Sequence, residues 1–174
     1  MNNNKKMRIA FTWPKNPIIE GARDLESSLE ELILSATNSI DILTYTYSKK
    51  QKFILNEALS SIIDDSRGCN LKIRFFLNYK EDAEKILKEK KYFSNVNLEC
   101  WYWHYPEDDY SKFHIKSVLV DKFKIYLGSA NWGETAMNES AECGMFFTCR
   151  ETTNSIKKYL KSLINQGLLI KYES

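Results

Sequence analysis

Apolar side chains recur along this chain at two different periods, and the switching between them predicts its architecture. Residues 8–13 (RIAFTW) read as a short first strand, ended by Pro14 and Pro17. Leu25, Leu29, Leu32, Ile33 and Ala36 then fall on one face of a helix. Residues 39–47 (SIDILTYTY) are rich in β-branched and aromatic types, as a buried strand requires. A second amphipathic helix carries Leu55, Ala58, Leu59 and Ile62 at spacings of three and four, and Arg67-Gly68 stops it. Residues 70–77 (NLKIRFFL) alternate as a strand, 81–90 form a charged surface helix, and 96–103 a further strand. Ser117–Val120 and Lys124–Gly128 read as two short core strands and Cys143–Thr148 as another, before an amphipathic helix over 156–164 closes the chain. Strands that alternate with helices from the outset imply an α/β layered fold around a mixed sheet.

Composition narrows the class. The chain has 174 residues, 43% hydrophobic and 28% charged, enough apolar material for one core and enough charge to stay soluble. Disorder and fibrous repeats are excluded. There is no internal repeat, and only the Asn/Lys-rich residues 1–6 read as a flexible terminus, so residues 1–174 are taken as a single domain. From Met1 to the closing helix the chain reads as a complete protein. No apolar run reaches the ~18 residues that span a bilayer, and the polar start MNNNKKMRIAFTWP lacks the apolar stretch of an export signal. A cytoplasmic protein without stable membrane insertion is expected. Cys69, Cys100, Cys143 and Cys149 are scattered, with neither a CxxC pair nor zinc-type spacing, so reduced thiols are expected. A net charge of +2 permits a polyanionic partner without requiring one.

Two segments carry chemistry. The first is His114-Ile115-Lys116 with Asp121 after four further residues; the second is Gly128-Ser129-Ala130-Asn131, followed by Glu142. In a strand, residues two apart point to the same side, so His114 and Lys116 would share a face. If the next strand pairs beside them, the Gly-Ser-x-Asn turn brings a hydroxyl and an amide to the same place. The set then holds a nucleophile or base, a fixed cation, two neutral hydrogen-bonding groups and a carboxylate able to orient the imidazole. That combination suits a phosphate, whose oxygens the cation and amide would hold while the imidazole attacks phosphorus. With no second histidine in the set and no clustered carboxylates, no metal and no cofactor are expected.

The run FHIKSVLVDKFKIYLGSANW resembles the HKD signature of the phospholipase D superfamily, HxKx4D followed by GSxN. Glu142 matches the later glutamate at a spacing similar to that of the small bacterial nucleases of this group. The likeness reaches upstream through IDILTYTY and DDSRGCNLKIRFFL, covering roughly residues 25–148. It implies a phospholipase D-like fold, a mixed β-sheet flanked by helices on both faces. It also implies that His114 is the nucleophile, forming a phosphohistidine, that Lys116 and Asn131 hold the phosphoryl oxygens and that Ser129 supports them. Glu142 would hydrogen-bond the imidazole and fix its tautomer. Asp121 and Gly128 belong to the signature as structural positions, Asp121 as a brace. The family reaction needs two histidines, and this chain has one HKD copy; its other histidine, His104 in WYWHYP, has no lysine two residues on. A twofold homodimer would bring His114 to its symmetry mate.

Small stand-alone members of the family are mostly nucleases, so DNA or RNA is the substrate expected from the resemblance. The alternatives are a phospholipid or cardiolipin hydrolase, a binding module that grips nucleic acid without cutting it, and the nuclease domain of a restriction-type enzyme. Tyr105, Tyr110 and Phe113 are candidates for a platform that stacks unpaired bases, and Lys49 and Lys50, with Lys52, for contacts to a phosphate backbone. Core packing is the alternative for the aromatics, and for His104 a packed or groove-lining place. Lys157, Lys158 and Lys161 read as the exposed face of the last helix. Glu107-Asp108-Asp109 would repel a polyanion if it faced the cleft.

Overall fold

A computed structural model of the chain describes residues 7–12, 23–48, 54–64, 70–88, 96–105 and 110–173. The elements run β1 (Arg8–Phe11), β2 (Arg23–Asp24), α1 (Leu25–Leu34), β3 (Ser39–Thr44), α2 (Ile54–Asp64), β4 (Lys72–Leu77) and α3 (Lys80–Lys88). There follow β5 (Asn97–Trp103), β6 (Ser117–Val120), β7 (Lys124–Gly128), α4 (Glu134–Asn138), β8 (Cys143–Thr148), α5 (Arg150–Asn165) and β9 (Leu169–Lys171). Among the described residues, nine strands join one sheet in the order β2-β1-β8-β7-β6-β3-β4-β5-β9. β3, β4 and β5 pair in parallel, whereas β3–β6, β6–β7 and β7–β8 are antiparallel, so the sheet is mixed.

Alternation along each strand divides its side chains between two layers. From β3, Ile40 and Ile42 enter a core with Leu25, Leu29 and Ile33 of α1, Leu59 of α2 and Ile86 of α3. Leu43 points the other way, into a cluster with Phe76, Phe113 and Leu160 and Leu163 of α5. Helices therefore cover both faces. Phe75, Phe76 and Leu77 of β4 are all buried because the strand is interior and covered on both sides, which overrides simple alternation. The second layer also holds charge: Arg74 forks onto the buried Asp41 with bonds of 2.7 and 2.8 Å.

Several sequence expectations need correction. β3 ends at Thr44, and Tyr47 instead makes an isolated parallel bridge to Trp132. The charged α3 is not wholly a surface helix. It buries Asp82, Ala83 and Ile86, with Asp82 accepting from the Tyr47 N–H at 3.0 Å and from Lys85 Nζ at 2.7 Å. Lys157 is not on an exposed face, since its Nζ donates to the Asp121 carbonyl at 2.8 Å. β2, α4 and β9, of two, five and three residues, are too short for periodicity to register. Residues 1–6, Pro14, Pro17, Arg67-Gly68 and Cys69 lie outside the described residues. Cys100, Cys143 and Cys149 form no disulfide with one another, and burial pushes the Cys100 thiol up to about 12.

Asp121 occupies the β6–β7 turn with a left-handed φ of 57°. Its carboxylate accepts from the N–H groups of Asn38 and Ser39 at 2.8 and 3.0 Å and from the Thr37 hydroxyl at 3.0 Å. Its own N–H donates to the Ser39 carbonyl at 2.8 Å. Burial alone would raise its carboxyl pKa, but the donors from Ser39, Asn38 and Thr37 outweigh it and hold the group below its ordinary value. Asp121→Ala should cost about 3 kcal/mol, through unpaired N–H groups and a backbone alanine resists. Asp121→Asn, which tolerates the left-handed region, should cost about 1–2 kcal/mol. Because the native carboxyl is depressed, wild type should keep its full advantage over Asp121→Asn above about pH 4 and lose it as pH falls through the native value. Urea unfolding at a series of pH values measures both effects, and a gap absent at neutral pH would rule out an ionised clamp.

Candidate active site

The β6–β7 and β7–β8 pairings converge at one end of the sheet. Ser117 pairs with Leu127, the Gly128 N–H donates to the Lys116 carbonyl at 3.3 Å, and Gly128 pairs with Gly144. The segment entering β6 is thus brought beside the turn leaving β7, with the start of β8 next to both. His114 and Lys116 precede β6 rather than lying within it, a correction to their expected place in a strand. They still share a side. Lys116 Nζ sits 2.9 and 3.0 Å from the two His114 ring nitrogens and donates to the His114 carbonyl at 3.2 Å. His114 is exposed. Burial lowers the Lys116 pKa, and the charge of Glu142 offsets part of that fall.

The turn after β7 locks onto β8. The Ser129 N–H donates to the Cys143 carbonyl at 3.0 Å, the Cys143 N–H returns a bond to Ser129 Oγ at 3.2 Å, and Ser129 Oγ donates to the Glu142 carboxylate. Glu142 itself is held through its backbone, which exchanges bonds of 2.8 and 3.0 Å with Thr12. In this chain the Glu142 carboxylate is engaged by Ser129 and makes no hydrogen bond to His114, unlike the role inferred from the resemblance. Asn131 follows, anchored by its neighbour Trp132, whose N–H donates to Thr44 Oγ1 at 2.9 Å and whose indole donates to Asn56 at 3.0 Å. Asn131 Oδ1 is buried without a hydrogen-bond partner. With Glu142, Asn131 opens onto a cleft of about 440 Å³ lined by Thr46, Ser48, Lys85 and Thr135 among others.

The remaining candidates divide. Phe113 is not a groove residue: it is 3% exposed and packs in the α5 layer against Trp103, 6.2 Å between ring centroids. Tyr105 is exposed and stacks on Trp103 at 9° between planes, while Tyr110 is 91% exposed. His104 is exposed rather than packed, at the end of β5, its N–H bonded to the Leu168 carbonyl at 2.9 Å. Lys49, Lys50 and Lys52, and Glu107–Asp109, lie outside the described residues. Among the described residues no three His, Cys, Asp or Glu side chains converge in a metal-binding group. Sequence reasoning missed Tyr45 and Asn78, which reach the His114 segment from just past the ends of β3 and β4, and Tyr79, which meets Tyr45. Carboxyl ends of parallel strands are where α/β sites open, and that was the available signal.

Fold and site together define a phospholipase D-like α/β domain. The family model described as cardiolipin synthase, PLD-like domain, matches residues 29–164, and the chain belongs to that family within the phospholipase D superfamily. No curated protein sequence matches it significantly. Among solved structures it is similar to Nuc from Salmonella typhimurium, a phospholipase D family member, with TM-score 0.69 and 16% identity over 98% of this chain and 99% of that one. NucT from Helicobacter pylori gives 0.65 and 19% identity over 96% and 100%. Phosphatidylserine synthase from Haemophilus influenzae gives 0.68 and 14%, over 95% of this chain and 39% of that one. Among the described residues no helix is long and apolar enough to cross a membrane.

Gly128 is required here by packing. A Cβ at Gly128 would stand 2.2 Å from the Tyr126 hydroxyl, and one at the facing Gly144 would stand 2.1 Å from the Tyr126 ring. Tyr126 is 2% exposed and cannot swing aside. Gly144→Ala should therefore lose about 2–3 kcal/mol by overpacking. Tyr126→Phe, which keeps the ring that fills the slot, should cost no more than about 1 kcal/mol. Thermal unfolding of both variants tests the assignment; a Gly144→Ala protein as stable as wild type would mean that the slot gives way.

Proposed function

We propose that this protein is a metal-independent phosphodiesterase, a nuclease that cleaves DNA or RNA through a phosphohistidine at a site shared by two chains. The observation that supports the reading is the bond from the Gly128 N–H to the Lys116 carbonyl, which sets the exposed His114 and its Lys116 beside the turn that carries Ser129, with Glu142 on its hydroxyl, and Asn131. His114 attacks phosphorus, and the bond to the leaving oxygen breaks as that oxygen takes a proton. Water then attacks the phosphohistidine and restores the ring. Lys116 and the Asn131 amide hold the phosphoryl oxygens as charge builds on them, with Ser129 keeping Glu142 in place beneath. The proton donor is the second His114 of a homodimer, because the chain's other histidine, His104, stands after β5 and has no lysine two residues on.

The names of the relatives divide between DNA and lipid. The archaeal chromatin protein TrmBL2, described as having a novel mode of DNA binding, shares the fold at TM-score 0.55. Phosphatidylserine synthase and the cardiolipin synthase of the family description favour a second reading, phospholipid chemistry at the same five residues. A panel of single-stranded DNA, duplex DNA, RNA and anionic phospholipid vesicles, each with excess EDTA, separates the two. Cleavage of nucleic acid undiminished by EDTA is the expected result. Loss on chelation with recovery on adding a divalent ion would overturn the mechanism, and turnover of vesicles alone would replace the substrate.

His114→Ala should abolish turnover, and Lys116→Ala should lower it on the order of a hundredfold. Mixed with active chains in equal amounts under free exchange, His114→Ala should leave about a quarter of the activity, the binomial share of dimers with both histidines. Activity falling only to one half would mean that each chain works alone.

A further inference from the structure

His114 stands on a stretch of chain that the sheet does not hold. The β3–β6 ladder begins at Ser117, paired with Leu43, and residues 111–116 belong to no strand. Two other elements hold it. Asn78, directly after β4 and 7% exposed, accepts the Phe113 N–H on its Oδ1 at 2.8 Å. Tyr45, directly after β3, meets the His114 ring edge-on at 4.6 Å between centroids and 60° between planes. The same Tyr45 ring has Lys116 Nζ 5.4 Å from its centroid, so one aromatic surface touches both charged-site groups. The Tyr45 ring is itself fixed from outside, its hydroxyl 2.6 Å from that of Tyr79, the residue after Asn78.

We propose that Tyr45, braced by Tyr79, and Asn78 are positioning residues that set the place and tilt of the His114 imidazole. The inference rests on His114 being the nucleophile. Asn78 fixes the backbone one residue before His114, and Tyr45 limits the arc through which the ring turns about its side-chain bonds. Consecutive residues after β4 point to opposite sides, so Asn78 reaches inward to the chain while Tyr79 reaches Tyr45. In-line attack on phosphorus requires the ring nitrogen within about 3–3.5 Å of the reacting atom, and displacement by about 1 Å can cost on the order of a hundredfold. Neither Tyr45 nor Asn78 needs to touch the substrate for this to work.

The chain's having only two histidines makes the test direct. In protein labelled at histidine, the imidazole spectrum holds two ring systems, and His104→Gln identifies which belongs to His114. In Tyr45→Leu the His114 ring resonances should move as the ring current of Tyr45 disappears, while those of His104 stay in place. The same variant should lower kcat by ten- to a hundredfold with KM changed less than threefold, at an unfolding midpoint that shows it folded. Tyr45→Phe keeps the ring and loses the bond to Tyr79, so its kcat should fall between Tyr45→Leu and wild type. Asn78→Leu should lower kcat alone in the same way, and Asn78→Asp, which restores the acceptor, should recover part of it. A kcat for Tyr45→Leu within twofold of wild type, equal values for Phe and Leu, or His114 resonances that do not move would overturn the proposal. If His114→Ala instead stays active, the reading of His114 as nucleophile fails, while the spectra still report whether Tyr45 holds the ring.

Discussion

The carboxylate of Asp121 fixes the register on which the site depends. It binds the N–H groups that open β3, and its own N–H closes on the Ser39 carbonyl, so the pairing of β6 with β3 has one permitted alignment. Because those strands are antiparallel, fixing the ladder at Ile40–Val120 also fixes its far end at Leu43–Ser117. From that far end the His114 segment departs. A slip of one residue would turn every side chain of β6 to the opposite face and carry Lys116 away from the turn after β7. The Asp121 carbonyl adds a third tie, to Lys157 of α5, so a single residue joins the first helix layer, the sheet and the second layer. An acid far from the chemistry thus decides where the chemistry stands.

The two faces of the sheet are held together in different ways. The layer under α1, α2 and α3 is mostly apolar, with Ile40, Ile42, Phe75 and Val118 at its centre, and its buried acid, Asp82, is met by the Tyr47 N–H and Lys85. The layer under α5 mixes apolar packing with the buried Asp41–Arg74 pair, whose guanidinium also lies 5.4 Å from the Phe76 ring centroid. Burial opposes charge on Arg74, and the bonds to Asp41 outweigh it, raising its pKa. A fork of two short bonds tolerates little sliding between β3 and β4. Tyr45 and Asn78-Tyr79 follow directly on those two strands, so the pair also bears on the surroundings of His114.

Much of the fold was legible because long periodic segments report their own environment. Leu25, Leu29 and Ile33 could only be one helix face, and the SIDILT of SIDILTYTY could only be interior strand. Periodicity says nothing about which strand lies beside which, and the order β8-β7-β6-β3-β4-β5 emerges only from the pairing. The site was legible as residue types at fixed spacing within 114–142. What escaped were the groups that arrive from elsewhere in the chain: Tyr45 and Asn78 approach His114 through convergence of strand ends, with 69 and 36 positions of separation by their residue numbers. Phe113 misled for a related reason. It stands among exposed aromatics in the sequence, but the Asn78 bond turns its side chain under α5.

The slot that Tyr126 fills between Gly128 and Gly144 bears on how such a motif is recognised. In Gly-Ser-x-Asn, the serine and asparagine answer to the proposed chemistry, whereas the glycine answers to a phenol ring two residues earlier on the same strand and to the Cys143 carbonyl across the ladder, 2.7 Å from where a Cβ would stand. The signature is therefore a composite of two messages, one reactive and one steric. A chain with a smaller residue in place of Tyr126 would have room for a side chain at Gly144, whereas at Gly128 the neighbouring strand's backbone would still refuse one. The glycine of the motif is thus the position least free to drift, although no reaction asks for it.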